Sequence, residues 1–142
     1  MNATLKQEEL SQVKPVKALV LIADDVPDSD GYAYRLTGRT IQDKVPVTID
    51  SSVAYGSNVV HRHRAYCNCV GFASLELEGR KLYASFEVSD NVQGRFSPFV
   101  LSSGGETEKS GENELTIDPT ILSITLSAAG NNSDDRIPEI EL

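Results

Sequence analysis

The clearest alternation of apolar and polar residues runs from residue 70 to residue 88. Its first half places an apolar side chain at every second position, and its second half resumes the alternation after a polar turn at residues 78–80. A period of two is typical of strands that bury one face. The segment therefore predicts a β-hairpin whose apolar positions face a core: Ala73, Leu75, Leu77, Leu82, Ala84, Phe86 and Val88.

Other apolar runs of strand length predict further strands. The continuous run at residues 16–23 predicts a buried central strand, and residues 121–126 return to the strand pattern late in the chain. The β-branched run at residues 45–49 contains Pro46, which has no amide N–H to donate to a ladder, so we expect a short or edge strand there. We expect a mainly β, single-domain antiparallel barrel or sandwich with few short helices.

Polar segments separate and flank these strands. Residues 1–14 are a polar N-terminal segment, residues 15–127 hold the predicted β-rich domain, and residues 128–142 are small, polar and acidic, which predicts a C-terminal tail. Residues 24–31 combine turn formers with carboxylates and predict a solvated acidic loop. Residues 102–113 are rich in Gly, Ser and Glu and predict a mobile interior loop.

Composition narrows the classes of protein. A length of 142 residues with 39% hydrophobic residues suits one domain with one modest core. The formal net charge of −8 argues against a surface that neutralises nucleic-acid phosphates. No run approaches the roughly 20 apolar residues that cross a bilayer, and the first residues lack the apolar region of a signal peptide. We expect an intracellular protein that binds neither nucleic acid nor membrane.

A metal site has candidate ligands but an unfavourable spacing. His61, His63, Cys67 and Cys69 lie within nine residues, yet a straight strand would hold the first and last about 26 Å apart. The two cysteines stand too close together for an unstrained disulfide, which favours reduced thiols. The acidic loop lacks the ligand pattern of an EF-hand. We expect neither a metal nor another cofactor.

The pentapeptide at residues 95–99 contains the leading candidate for chemistry. Pro98 biases Ser97 toward extended geometry at a sheet edge or bulge, where a nucleophile and an ordinary edge-strand serine are both reasonable interpretations. His61 and His63 are the only histidines, and each is a candidate general base. The spacing identifies no residue that would orient the base, and it leaves three carboxylates open: Asp50, Asp118 and Glu114.

The order of these motifs resembles a known family. A histidine is followed by the hairpin that Gly71 opens, then by Phe96-Ser97-Pro98-Phe99, then by the late strand at residues 122–129. This order resembles the head maturation (prohead) proteases of tailed phages, in particular the Mu-like phage protease group, over residues 16–132. The resemblance implies a β-barrel similar to herpesvirus assemblins. It also implies a serine endopeptidase that cleaves scaffold and capsid proteins inside the procapsid, in the host cytoplasm.

The resemblance also assigns residues. Ser97 matches the family's nucleophile, and His63 matches its histidine better than His61 does because it lies closer to Gly71. A rival alignment of residues 102–104 with the Ser-x-Gly segment of another prohead-protease branch would make Ser103 the nucleophile.

Ser123 stands where many such proteases carry an acidic residue, which opens a second hypothesis: a non-catalytic virion protein that decorates or braces a capsid. In either case the implied partners are phage capsid and scaffold proteins, with the chain homo-oligomeric or capsid-bound. A third hypothesis is a β-domain that binds a partner by adding a strand to an exposed edge.

Overall fold

A computed structural model describes residues 12–49 and 69–142. Over these ranges the chain forms strands, turns and irregular segments, without a helix. The strands are β1 (Val13–Ile22), β2 (Tyr32–Arg35), β3 (Val45–Ile49), β4 (Cys69–Glu78), β5 (Lys81–Ser89), β6 (Arg95–Ser103), β7 (Glu106–Ser110), β8 (Asn113–Ile117), β9 (Thr120–Ala128) and β10 (Ile140–Glu141).

Most strands belong to one curled sheet. Seven strands follow the order β1-β5-β4-β3-β9-β6-β10, and β1 contacts β6, so the sheet is a nearly closed barrel. A smaller sheet has the order β2-β8-β7. The prediction of a mainly β, single-domain fold is confirmed. The few short helices expected from the sequence do not occur in the described residues, and the pairs β3–β9 and β2–β8 are parallel within an otherwise antiparallel arrangement.

The predicted hairpin is β4 and β5. Glu78 pairs with Lys81 across a two-residue turn, and Gly79 has a φ of +63°, which suits a glycine at the first position of a tight hairpin turn. Leu82, the first apolar residue of β5, is fully buried, and the other three apolar positions of β5 are also buried. The alternation in the sequence thus identifies the face that packs into the barrel.

The interior of the barrel is filled by aliphatic side chains and by the aromatic rings of Phe86 and Phe96. Truncating a large side chain in a close-packed core leaves a cavity and lowers the free energy of unfolding. The fully or almost fully buried members come from strands across the sheet: Val20, Val45, Val47, Leu82, Val88, Phe96, Ile121, Ile124 and Leu126.

Three predicted features have different positions in the structure. β1 was expected to be central and lies at one end of the sheet order. β3 was expected to be a short or edge strand. It has five residues, but it lies between β4 and β9, with the β9 ladder beginning at Val47, one residue after Pro46. Residues 102–113, expected to form a loop, contain the end of β6, all of β7 and the first residue of β8, which pairs antiparallel with β7.

Residues 130–142 pack along the barrel, and we call them the C-terminal strap. Ile137 is buried, and β10 pairs with the first residues of β6. Leu142 and Gly94 exchange two backbone hydrogen bonds of 2.8 and 3.1 Å, which extends this pairing by one residue position on each strand. The segment predicted to be an acidic tail therefore contributes a strand to the main sheet.

Candidate functional site

Ser97 lies on β6 directly opposite Ser127 of β9. Residues opposite one another in an antiparallel pair project from the same face of the sheet. Ser97 is in extended backbone, as the following proline suggested, and the register shift between β6 and β9 occurs further along, between Leu101 and Ser102. The serine is only 2% exposed. Its backbone position is thus defined by the ladder, and its hydroxyl group is covered.

The beginning of the strap covers this hydroxyl group. The amide N–H of Gly130 donates to Ser97 Oγ at 3.0 Å. Asn131 Nδ2 donates to Ser127 Oγ at 2.9 Å, and Asn132 Nδ2 donates to the carbonyl oxygen of Pro98 at 2.7 Å. Three consecutive strap residues therefore bind the two opposed serines and the strand that carries Ser97.

The proton of the Ser97 hydroxyl is not used by these contacts. A serine hydroxyl can accept two hydrogen bonds and donate one. Ser97 Oγ accepts from Gly130, and within residues 12–49 and 69–142 no group accepts its proton.

Ser97 belongs to a row of hydroxyl side chains on one face of the sheet. On β9, Thr125 lies opposite Phe99 of β6 and Ser123 lies opposite Leu101. Thr48 of β3 pairs with Thr125, and their Oγ1 atoms are 3.3 Å apart. We call these five residues the hydroxyl row: Thr48, Ser97, Ser123, Thr125 and Ser127.

Sequence reasoning named Ser97 and Ser123 but missed the rest of the row. The signal was present, because Ser123, Thr125 and Ser127 recur with the period of two that places side chains on one strand face. The alternating apolar residues of the same strand, Ile124 and Leu126, are fully buried in the core. β9 therefore separates an apolar interior face from a hydroxyl-bearing exterior face.

Pro98 lies where its missing N–H leaves no gap in the ladder with β9. Gly94 directs both backbone groups toward the strap, and alternate residues of a strand direct theirs to the same side. The backbone polar groups of Phe96, Pro98 and Val100 therefore point to the side of β6 that faces away from β9. Prolines are tolerated at such an edge. The carbonyl group of Pro98 is still satisfied there, by the amide side chain of Asn132.

The predicted partners of Ser97 fall into two groups. His61, His63 and Asp50 lie outside the described residues, as does Cys67, which was considered only as a metal ligand. Asp118 and Glu114, the other carboxylates considered for orienting a base, are described and lie elsewhere. Glu114 is on β8 in the smaller sheet. Asp118 precedes the start of β9, whereas Ser97 pairs near its end, about 20 Å or more along the strand.

Asp118 has a clear structural role. It is buried, has a φ of +50°, and its carboxylate accepts hydrogen bonds of 2.8 Å from both the amide N–H and the Oγ1 of Thr37. Arg39 lies 3.3 Å away. The Thr37 amide, followed by the Thr37 hydroxyl and Arg39, holds the pKa of Asp118 below its usual range despite burial. Asp118 thus anchors the connection after β2 to the start of β9.

Ser103, the rival nucleophile, is the last residue of β6 and lies opposite Thr120. It is exposed, and it is six residues along the strand from Ser97, or about 20 Å. Gly104 and Gly105 follow it with φ angles of +73° and +86°. The structure therefore separates the two candidate serines into different surroundings at opposite ends of β6.

The acidic loop after β1 binds the strap. Arg136 contacts Asp24 at 2.7 Å and Asp134 at 2.9 Å, and these two carboxylates raise the pKa of its guanidinium group. The hydrogen bond from Arg136 lowers the pKa of Asp24, although partial burial opposes the shift. Asp28 accepts a hydrogen bond from Ser133 Oγ at 2.7 Å. The loop predicted to be solvated is therefore an anchoring point for the C-terminal segment.

Cys69 is exposed and reduced at the start of β4, where its Sγ lies 3.3 Å from the carbonyl oxygen of Gly71. The described ranges contain no group of three or more His, Cys, Asp or Glu side chains arranged to hold a metal ion. Nor do those residues form a helix long and apolar enough to cross a membrane. Comparison of the chain with protein-family models, curated proteins and solved structures finds no match.

Proposed function

We propose that this chain is a capsid-maturation serine endopeptidase of a tailed phage, with Ser97 as nucleophile and His63 as general base. The proposal begins from the order of motifs that resembles the prohead proteases. The observation that supports it is the state of the Ser97 hydroxyl group. The backbone of Ser97 is held by the β6–β9 ladder, and its hydroxyl proton has no acceptor among the described residues.

In this mechanism, Ser97 Oγ attacks the carbonyl carbon of the scissile peptide bond while a ring nitrogen of His63 takes the hydroxyl proton. The tetrahedral intermediate collapses, the C–N bond breaks, and the leaving amine receives that proton from His63. A water molecule then hydrolyses the acyl-enzyme, with His63 again acting as base. The described residues supply the nucleophile and its alignment in these steps.

The burial of Ser97 sets a condition on the mechanism. A serine that is 2% exposed cannot meet a peptide carbonyl while residues 130–132 remain in place. Because the strap begins at Gly130, whose φ of +89° suits a flexible glycine, lifting its first residues would uncover the hydroxyl without altering β6 or β9. Catalysis therefore requires that the substrate displace the beginning of the strap.

The test is cleavage of a coexpressed phage scaffold protein by the full chain. Ser97→Ala should reduce cleavage by at least about a thousand-fold, because it removes the nucleophile. Ser103→Ala is the matched control, since it removes a hydroxyl group at the other end of the same strand, and it should cleave like wild type. Persistent cleavage by Ser97→Ala would remove Ser97 from the mechanism, and loss of cleavage in Ser103→Ala alone would support the rival alignment.

A second candidate function is a non-catalytic virion protein that decorates or braces the capsid. The favouring observation is that Ser97 and Ser127 both bind the strap, which is a sufficient structural reason to keep a serine at each position. The hydroxyl row also has Ser123 where a carboxylate occurs in many prohead proteases. This hypothesis predicts stoichiometric retention in mature particles, whereas a maturation protease should be depleted, so the copy number in purified virions discriminates between them.

A further inference from the structure

The seam between β1 and β6 is the place where the barrel is not closed by a ladder. The two strands contact one another but are not hydrogen-bonded neighbours in the sheet. A cavity of about 170 Å³ lies along the seam, between residues 20–22 of β1 and residues 99–100 of β6. Tyr34 lines it from the smaller sheet, and residues 131–134 and Ile137 of the strap complete its wall. The strap therefore covers an opening in the barrel.

The strap occupies the seam in the manner of a bound peptide. β10 adds to the edge of β6, where Ile140 pairs with Phe96, and Ile140 and Leu142 pack against the core. Asn132 satisfies the carbonyl group of Pro98 further along the same edge. Strand addition combines backbone hydrogen bonds with pockets for alternate side chains, and both elements are present here.

The charge at one end of the seam adds selectivity. Asp24 and Asp28 belong to the loop after β1 and face the strap, where Arg136 and Ser133 bind them. Ile137, next to Arg136, is buried in the cavity wall. The site thus receives a cation and, at the adjacent position, an aliphatic side chain. Each of these contacts is one that a separate chain of the same pattern would make equally well.

We propose that the seam is a binding site for an extended segment of a partner protein that carries a basic residue followed by an aliphatic one. The strap is its intramolecular occupant. Asp24 selects the cation, and Asp28 accepts a hydrogen bond from a hydroxyl side chain. The wall of the seam cavity takes the aliphatic side chain, and the edge of β6 takes the backbone. The strap and the partner compete for the same site. The apparent affinity for the partner therefore equals the intrinsic affinity multiplied by the fraction of molecules whose strap has lifted.

This inference goes beyond the proposed function and does not require Ser97 to be a nucleophile. If the chain is a protease, the segment that displaces the strap also removes the Gly130 amide from Ser97 Oγ. If the chain is a virion protein, the same segment attaches it to its neighbour. Binding and cleavage are measured separately, so failure of the binding test leaves the cleavage test of Ser97→Ala unaffected.

The experiment uses the full chain and a fluorescein-labelled peptide that has the sequence of residues 131–142, followed by fluorescence polarisation. Arg136→Glu in the chain places a like charge beside Asp24 and weakens the intramolecular occupant. Because both side chains are partly exposed, this variant should bind the peptide about two- to five-fold more tightly than wild type. Lys109→Glu makes the same charge change on exposed β7 in the smaller sheet and should bind like wild type. Ile140→Ser weakens β10 instead and should also increase binding.

A second peptide, in which the arginine is replaced by glutamate, should bind the Arg136→Glu chain about two- to five-fold more weakly than the first peptide, because it lacks the same contact with Asp24. Circular dichroism establishes that each variant chain is folded. Equal, weak binding of the first peptide by wild type and both strap variants would overturn the proposal, because it would make the strap a permanent part of the barrel. Dimerisation of the strap variants, seen by light scattering, would replace it with exchange of straps between two copies.

Discussion

The two ends of β6 present two candidate serines in opposite circumstances. Ser97 has a defined position, since it pairs with Ser127 and accepts a hydrogen bond from Gly130, but it is covered by the strap. Ser103 is exposed, but no side-chain hydrogen bond involves it within the described part of the chain. A nucleophile needs both alignment and access. In this protein the alignment is built into the Ser97 end, and access to it depends on a separable segment.

The two ends of β6 should differ most in the stability cost of introducing a charged side chain. Ser97→Asp should destabilise the fold by about 3–5 kcal/mol, because it places a carboxylate with no cation partner in a site that is 2% exposed. Ser103→Asp at the exposed end should change stability by less than about 0.5 kcal/mol. Urea unfolding measures both. Similar values for the two variants would mean that the Ser97 end opens to water at little cost.

Gly104 and Gly105, which follow Ser103, differ in how closely the neighbouring backbone approaches them. A Cβ at Gly105 would lie 2.7 Å from the carbonyl oxygen of Ile117 and 2.9 Å from the nitrogen of Pro119, whereas at Gly104 it meets nothing within 4 Å. Both residues have positive φ angles. Gly105→Ala should therefore cost about 2–4 kcal/mol, and Gly104→Ala about 1 kcal/mol. Chemical denaturation of the two variants gives the comparison, and equal costs would contradict the close approach at Gly105.

Removing each hydroxyl group gives a smaller contrast. Ser97→Ala removes the acceptor of the Gly130 amide N–H. Because Gly130 is exposed, water can take the place of that acceptor, and the substitution should cost about 0.5–1.5 kcal/mol. Ser103→Ala should be neutral within about 0.5 kcal/mol. Hydrogen exchange of the Gly130 amide, followed by NMR, supplies a local measurement, since its protection should fall only in the Ser97→Ala protein. Unchanged protection would show that the hydrogen bond to Ser97 contributes little.

The smallest effect is a pH dependence at the start of β9. The pKa of Asp118 is lowered in the folded protein, so its carboxylate stabilises the fold above the unfolded pKa near 4 and loses that contribution as the pH falls through the folded pKa. Asp118→Asn should show a smaller fall in urea midpoint than wild type below about pH 4. Asp43→Asn, an exposed control, should follow wild type. Parallel curves for all three proteins would count against this role of Asp118.

Strands with one buried face were predictable from the sequence. A fully exposed strand was not predictable, and neither was the place of a predicted strand within the sheet. The β4–β5 hairpin follows from its alternation because a period of two directly reports which face meets the core. β7 consists of exposed residues, so no apolar positions mark it as a strand. β3 is short and contains a proline, which indicates an edge, yet the proline lies before the ladder with β9 begins. Local pattern therefore identified strands only where burial dictates the pattern.

The site was predictable in part for a similar reason. The extended geometry of Ser97 follows from the proline after it, which is a constraint between neighbours. The covering of Ser97 by the strap does not follow from the local sequence, because Gly130 is 33 residues away from Ser97 and Arg136 is 112 residues away from Asp24. A polar and acidic segment resembles a tail when its partners are unknown. Only the fold brings the acidic loop and the strap together.

Pro98 has a consequence for how copies of this protein behave toward one another. An exposed strand edge is a template on which further chains can stack without limit, and each stacked chain needs donors and acceptors at regular intervals. At Pro98 the edge of β6 offers a carbonyl group but no donor, and once the strap has lifted that carbonyl group has also lost its hydrogen bond from Asn132. A molecule whose strap has lifted would therefore present an interrupted template, which can accept a matched segment but is poorly suited to seed a fibre.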